Sequence, residues 1–260
     1  MRRTFAAAAA FALLVAASPD AVAVQPYVMF EAGVVSRDVV EEDASIAGFS
    51  FGGTATSTRM LATVGLDVAA GFTLYAMGGA ADLTIDEFNG FDSSFSGAYG
   101  AGVRLTLPLA PHPYGLRLFV DGSVLRTTGE DTVAAEFGCT AANGCTNAGA
   151  RGGYVTRVVD EEIEWTEFAV LMGAGSRWGP WGPYGGIRLS AVDATDKLRA
   201  APDANFATAF SADSDLREQD NFGAFFGTDF FLDRAGKTAL NFEASLFDQY
   251  SFRAAIRRAF

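Results

Sequence analysis

The sequence contains very little histidine and cysteine. His112 is the only histidine, and Cys139 and Cys145 are the only cysteines in 260 residues. A structural zinc site takes four Cys or His ligands, and no further Cys or His lies near this pair. A close, even pair of cysteines instead predicts one disulfide that closes a loop.

Long apolar runs are also missing, although half of the residues are hydrophobic. A membrane-spanning helix needs about 18 or more consecutive apolar residues, and none occurs after residue 23. The apolar residues are instead distributed in short alternating runs. This distribution excludes a helical membrane protein and favours an all-β chain.

Basic residues are outnumbered, with 19 Lys and Arg against 31 Asp and Glu. Removal of residues 1–23 takes away two Arg and one Asp, which leaves 17 against 30 and a formal charge of −13. So acidic a chain is a poor candidate for binding nucleic acid or anionic lipid through a basic face.

The first 23 residues have the pattern of a secretory signal peptide. Arg2 and Arg3 precede an apolar segment from Phe5 to Ala17, and Ala21-Val22-Ala23 fits a small-x-small cleavage site. The alternative, an anchoring helix, is disfavoured because the apolar segment is too short to span a bilayer. The sequence therefore predicts a signal peptide at 1–23 and a single domain at 24–260.

From residue 25 onward the chain divides into runs of about ten residues in which apolar and polar side chains alternate, the pattern of half-buried strands. Ten such runs are predicted as strands: Tyr27–Val35, Arg59–Ala69, Phe72–Leu83, Ala98–Leu107, Tyr114–Leu125, Glu164–Arg177, Tyr184–Ala194, Asn221–Leu232, Thr238–Phe247 and Tyr250–Phe260. Eight or twelve strands remain possible because strand boundaries are poorly defined by sequence.

The connections between these runs alternate in length. Tight segments alternate with four long ones, namely 36–58, 84–97, 126–163 and 195–220. Short turns at one end and long polar loops at the other are typical of an antiparallel, up-and-down transmembrane β-barrel.

The face opposite the apolar one carries charges of both signs in near balance. Inside a narrow barrel such charges would have to pair, because an unpaired buried charge is costly. The predicted interior charge network comprises Glu31, Arg59, Asp67, Arg104, Arg117, Asp121, Glu167, Arg177, Arg188, Asp229, Glu243, Arg253 and Arg257. Several glycines share this face, and we expect them to make room for the arginine side chains.

The leader, the alternating strands, the unequal connections and the last strand, Tyr250–Phe260, together resemble the small outer-membrane β-barrels of Gram-negative bacteria, the porin-like superfamily that includes outer-membrane protein A. The resemblance implies location in the outer membrane, contact with lipid and lipopolysaccharide, and a monomer. It also implies that the terminal aromatic, Phe260, presents the last strand to the barrel-assembly machinery. No motif selects one activity among the roles of these barrels.

The sequence offers no catalytic, cofactor or metal site. Enzymes among the barrels that this chain resembles imply a histidine near the outer rim, whereas His112 lies in Pro111-His112-Pro113, a short connection at the opposite end. We therefore expect a non-enzymatic barrel with a structural or surface-interaction role. A narrow channel for small solutes and a soluble exported barrel that binds an apolar ligand are the alternatives. The acidic loops either bind divalent cations or keep the surface soluble.

Overall fold

The structure is a computed structural model, and it describes residues 24–41, 52–69, 71–86, 90–109, 115–140, 144–147 and 152–260. The predicted signal peptide lies outside these residues. No helix within them is long and apolar enough to cross a membrane. Every regular element described is a β-strand.

Eleven strands occur within the described residues. Their bounds are β1 Gln25–Glu41, β2 Gly52–Ala69, β3 Phe72–Asp86, β4 Phe91–Pro108, β5 Arg117–Gly138, β6 Tyr154–Gly175, β7 Trp181–Ala200, β8 Phe210–Glu218, β9 Phe222–Phe231, β10 Thr238–Leu246 and β11 Tyr250–Ala259. Consecutive strands run antiparallel except β8 and β9, which run in the same direction because both pair antiparallel with β7.

Ten of these strands form a closed antiparallel ring, which confirms the predicted transmembrane-barrel fold and its strand number. The order around the ring is β1, β2, β3, β4, β5, β6, β7, β9, β10 and β11. Pairing of β1 with β11, from Tyr27↔Ala259 to Ser36↔Tyr250, closes it. The backbone N–H of Phe260 also donates to the carbonyl of Pro26, 3.0 Å away. Closure leaves no strand edge unpaired within lipid.

A narrower, eight-stranded extension continues from one end of the ring. The β10–β11 hairpin is short and ends before the extension. In the extension β8 replaces these two strands, because it pairs with residues 193–200 of β7 and with residues 39–41 of β1. Strands β1 to β8 therefore close a second circuit above the β10–β11 turn. We call the two parts the ten-stranded ring and the eight-stranded extension.

The polarity of the outer surface changes between the two parts, as β6 shows. Phe168 and Val170 point outward from the ring and are 43% and 39% exposed. Farther along the same outer face, Asp160, Glu162 and Glu164 point outward from the extension. Outward apolar side chains occur on every strand of the ring, as on β4 from Tyr99 to Leu107. A run of this length matches the roughly 9 to 11 tilted residues that cross a bilayer core.

The long connections predicted from the sequence are for the most part strand, so that part of the interpretation was wrong. β5 continues to Gly138 and β6 begins at Tyr154, and β8 lies within the predicted 195–220 loop. These segments alternate as strands do, but most of their apolar residues face inward and most of their charged residues outward. The buried charged exceptions are Arg37, Arg157, Glu161, Asp196 and Glu218. Apolar residues inside and charged residues outside are the reverse of the pattern in the membrane ring, and they are typical of a water-exposed barrel wall. The sequence prediction had assigned these segments to loops.

The short connections lie at the opposite end of the ring, which we call the short-turn end. They follow β2, β4, β6 and β9, and the first residue of β1 and the last of β11 lie at the same end. Gly71, in the β2–β3 turn, has a φ of +79°, a conformation that favours glycine. His112 belongs to the β4–β5 connection and lies outside the described residues.

Candidate functional site

Charged side chains fill the interior of the ring, and ten of the thirteen predicted network residues are in ion pairs. The closest contacts are Arg59–Glu167 at 2.8 Å, Arg188–Glu167 at 2.7 Å, Arg104–Asp121 at 2.6 Å, Arg117–Asp229 at 3.3 Å, Arg253–Glu243 at 3.0 Å and Arg253–Glu31 at 3.2 Å. The inward period-two positions of the strands bring these groups together.

The interior ion pairs nearest the extension are centred on Glu167, and we call this group the ion-pair layer. Its carboxylate contacts the guanidinium groups of Arg37, Arg59 and Arg188 at 2.9, 2.8 and 2.7 Å. Glu167 is 5% exposed. Three charge-assisted contacts on one buried carboxylate compensate for its loss of water.

Three members of this layer were not predicted. Arg37 continues the inward face of β1 and also contacts Glu218 of β8 at 3.1 Å. Asp248, in the β10–β11 turn, contacts Arg188 at 3.1 Å. The inward parity of Glu31, Gly33 and Val35 predicts Arg37 once β1 is extended. Nothing in the local sequence signals Asp248, because a turn points it inward.

That turn contains Phe247, which has a φ of +84°. Phe247 is the one non-glycine residue with a positive φ in the part of the chain that the structure describes. Phe247 is 70% exposed on the outside, whereas Asp248 and Gln249 are each 3% exposed. Gln249 accepts a hydrogen bond from Arg37 at 2.6 Å. The unusual backbone therefore directs one aromatic ring outward and two polar side chains into the ion-pair layer.

Tyrosines connect the ion pairs nearer the short-turn end. Tyr75 donates to Asp121 at 2.6 Å, and Tyr184 donates to Glu243 at 2.9 Å. Asn241 donates to both Tyr184 and Asp229. Tyr75 and Asn241 satisfy the oxygens of Asp121 and Asp229 that the arginines leave free, whereas Tyr184 shares Oε2 of Glu243 with Arg253.

The other three predicted network residues have no ion pair with any described residue. Asp67 accepts a hydrogen bond from Thr73. Arg177 lies over the ring of Phe231 at 4.2 Å, and Arg257 lies 5.8 Å from the centre of the Tyr27 ring. The structure places all three at the short-turn end rather than in the paired layers.

Interior glycines mainly accommodate aromatic rings, so the expectation that they make room for arginines was largely wrong. A Cβ on Gly102 would lie 2.3 Å from the ring of Tyr75, and one on Gly227 would lie 2.6 Å from that of Tyr184. Gly65 faces Tyr27 in the same way. Flat rings lying against the wall need this space more than flexible guanidinium groups that reach the centre.

An apolar core fills the extension directly above the ion-pair layer. It draws side chains from seven strands, and all are at most 5% exposed: Val39, Ala55, Leu83, Ile85, Phe91, Ile163, Trp165, Val192, Ala194 and Leu216. The remaining strand, β5, approaches through Gly129, where a Cβ would lie 3.0 Å from the Phe91 ring. Side chains can fill the inside of an eight-stranded barrel in this way.

The ring encloses a cavity of about 560 Å³ on the other side of the ion-pair layer. Its lining extends from Gln25 and Asp67 near the short-turn end to Arg59, Glu167 and Arg188. No residue of the apolar core contributes to it. Within the described residues, the cavity therefore ends at the ion-pair layer.

Two buried carboxyl groups lie in the extension. Glu161 and Asp196 are 3% and 6% exposed. Burial, reinforced by the negative charges of Asp196 and Asp131, raises the pKa of Glu161 to about 8. No group of three or more potential metal ligands occurs in the part of the chain that the structure describes.

The tip of the extension is held by a disulfide and by loop-to-loop contacts. Cys139 and Cys145 form the disulfide, and Cys145 pairs as an isolated bridge with Phe206 of the β7–β8 connection. Arg157 lies over the Phe206 ring at 5.0 Å and donates to three backbone carbonyls of the same region. The β5–β6 and β7–β8 connections therefore pack as one unit.

Comparison with known proteins identifies the fold but no activity. No family model and no curated protein matches the sequence. The outer-membrane protease OmpT of Escherichia coli is similar in structure, with a TM-score of 0.53 and 10% identity over 94% of this chain and 98% of that one. The β domain of the Bordetella autotransporter BrkA matches with a TM-score of 0.40 and 14% identity, over 92% and 100% of the two chains. The chain has the fold of bacterial outer-membrane β-barrels.

Proposed function

We propose that this protein is a non-enzymatic outer-membrane barrel with a closed interior and a structural or surface-interaction role. The observation that carries the proposal is the apolar core of the extension, packed across its width directly above the Glu167 ion-pair layer. In barrels of this kind the short turns face the periplasm. The extension then projects outside the cell.

The closed interior favours this role over that of a narrow channel. Water and ions would have to pass buried apolar side chains such as Ile163 and Leu216, each 1% exposed. An ion that leaves water for such an interior without a partner meets a large free-energy barrier. The alternative of a soluble barrel that binds an apolar ligand does not fit a ring whose outer surface is apolar.

Planar-bilayer recording tests the closed state. The full-length processed protein, inserted in a lipid bilayer, is expected to give no steady single-channel openings above the protein-free baseline. Reproducible openings of constant size in many insertions would contradict the closed interior and favour the narrow-channel role. Heat-dependent gel migration of the same sample verifies that the barrel is folded.

The absence of enzymatic activity is part of the same proposal. OmpT is a protease, but 10% identity transfers only the fold. The single histidine falls between β4 and β5 in the sequence and lies outside the described residues. The buried acids of the extension, Glu161 and Asp196, lie beneath its surface. A general base must be within hydrogen-bond reach of a substrate proton. Incubation with peptide and phospholipid substrates is expected to give no product above background.

The extension suits a surface role because its outer face is charged and its tip is constrained. Lys197 contacts Glu162 and Glu164, and Arg199 contacts Asp213, all on the outside. A constrained loop surface loses less conformational entropy on binding than a free loop. We propose a monomer that contacts lipid and lipopolysaccharide around the ring and displays this surface to an external partner.

A further inference from the structure

A second, smaller cavity of about 300 Å³ opens at the short-turn end of the ring. It is lined by Gly115, Arg117, Ser176, Arg177, Phe231, Gly236 and Arg257. These residues belong to strands β5, β9 and β11 and to the β4–β5, β6–β7 and β9–β10 turns. No carboxylate lines this cavity, although acidic residues outnumber basic ones in the chain.

The three arginines of this cavity differ in how their charges are compensated. Arg117 is paired with Asp229 at 3.3 Å. Arg177 and Arg257 have no ion pair with a described residue. The nearby turn acid, Asp233, accepts hydrogen bonds from the backbone of Lys237 and Thr238. The connection at 110–114, which follows β4 at this end, contains no acidic residue in its sequence.

Both arginines contact aromatic rings, and such contacts do not occupy the N–H donors of their guanidinium groups. Arg177 lies over Phe231 at 4.2 Å, and its Nε donates to the carbonyl of Gly179. Arg257 lies over Tyr27. Contact with a ring occupies the flat face of a guanidinium, whereas the N–H donors lie along its edge. The edges remain available for an oxyanion.

The β9–β10 turn provides the space beside Arg177. Gly236 has a φ of +71°, and a Cβ there would lie 2.8 Å from Nη1 of Arg177. A side chain at this position would therefore crowd the guanidinium.

The geometry points to a binding site for a phosphate group in this cavity, which the proposed orientation opens to the periplasm. Arg177 and Arg257, which have no ion pair with a described residue, line the same cavity and match in charge the dianion of inorganic phosphate or of a phosphate monoester. Guanidinium groups bind phosphate oxygens through paired, charge-assisted hydrogen bonds. Phe231 supplies an apolar wall for the group that a monoester carries. This site shares Arg117 and Arg257 with the lining of the larger cavity and does not depend on the surface role.

Phosphorus NMR of inorganic phosphate, titrated with the full-length processed protein in a neutral detergent, tests the site. At pH 7.5 and constant ionic strength we expect saturable broadening of the phosphate signal. The double variant Arg177→Gln, Arg257→Gln is expected to bind at least tenfold more weakly. Arg199→Gln removes an exposed arginine of the extension and is expected to bind as the unchanged protein does. Heat-dependent gel migration verifies that each variant is folded.

Two further conditions define the ligand. At pH 5 inorganic phosphate is almost entirely a monoanion, because its second pKa lies well above 5, and binding is expected to weaken. In nanodiscs, loss of inorganic-phosphate binding with phosphatidic acid, whose headgroup is a phosphate monoester, but not with phosphatidylcholine would identify a lipid headgroup as the source of the phosphate. Retained binding in both lipids would identify a soluble one. No broadening with the unchanged protein, or equal broadening with the double variant, would overturn the site.

Discussion

At the scale of single residues, the interior of the ring depends on carboxylates that serve several arginines. Glu167 contacts three guanidinium groups, and two of them, Arg59 and Arg188, are predicted from sequence parity to face the interior. The sequence identifies which residues face inward because a strand alternates strictly. It does not identify which acid meets which base, because that depends on the stagger of strands around the ring and on the Asp248 turn.

We predict that Glu167→Ala lowers the free energy of unfolding by about 3–5 kcal/mol, because three buried guanidinium groups lose their common partner. Urea-induced unfolding in lipid vesicles measures the change. Glu164→Ala is the matched control on the same strand, since Glu164 contacts Lys197 and Arg126 on the outer surface. An equal loss in both variants would contradict the assignment of Glu167 to the interior.

The Glu161 carboxyl predicts a pH dependence of stability. Its pKa is about 8 in the fold against an ordinary value of 4.5, so the folded protein binds one more proton than the unfolded chain between these values. Stability is therefore expected to fall as pH rises from about 4.5 to 8. Thermal unfolding from pH 5 to 9 should show a smaller decline for Glu161→Gln than for the unchanged protein.

Glu162→Gln is the control for that measurement, because Glu162 lies on the outer face of the same strand beside Lys197. Its pH profile should match that of the unchanged protein. A profile for Glu161→Gln that also matches would show that the carboxyl is not protonated in the fold.

At the scale of elements, the ten strands of the ring follow from the sequence and the extension does not. Val159, Ile163 and Trp165 alternate with Asp160, Glu162 and Glu164, and the inward position between Val159 and Ile163 is occupied by Glu161. The same alternation describes a membrane strand with apolar residues outside and a water-exposed strand with apolar residues inside. Only the position along the barrel decides between them, and that position is a tertiary property.

The glycines of the strands give a prediction at this scale. Gly102→Ala places a Cβ against the ring of Tyr75, which must leave Asp121, and we expect a loss of about 1–3 kcal/mol in the free energy of unfolding. Gly122→Ala on the adjacent strand meets no atom within 4 Å and is expected to cause no loss. Urea unfolding compares the two. A larger loss for Gly122→Ala would contradict the inward placement of Tyr75.

At the scale of the whole molecule, two changes occur at nearly the same height along the barrel axis. The wall changes from ten strands to eight, and the outer surface changes from apolar to charged. On β6 the change falls between Glu164 and Phe168, and on β7 it falls between Asp193 and Leu189. Glu167 and Arg188 form their ion pair at this level inside the barrel. The lipid boundary, the ion-pair layer and the loss of the β10–β11 hairpin therefore coincide.

Spin labels placed singly along β6 from residue 160 to 172, in protein reconstituted into lipid vesicles, test this arrangement most directly. The native cysteines form a disulfide, so each introduced cysteine can be labelled alone. Labels at 168, 170 and 172 should be accessible to oxygen in lipid, and labels at 160, 162 and 164 to a water-soluble nickel complex. Odd-numbered positions should be shielded from both. Access of the nickel complex to 168, 170 and 172 would contradict the account.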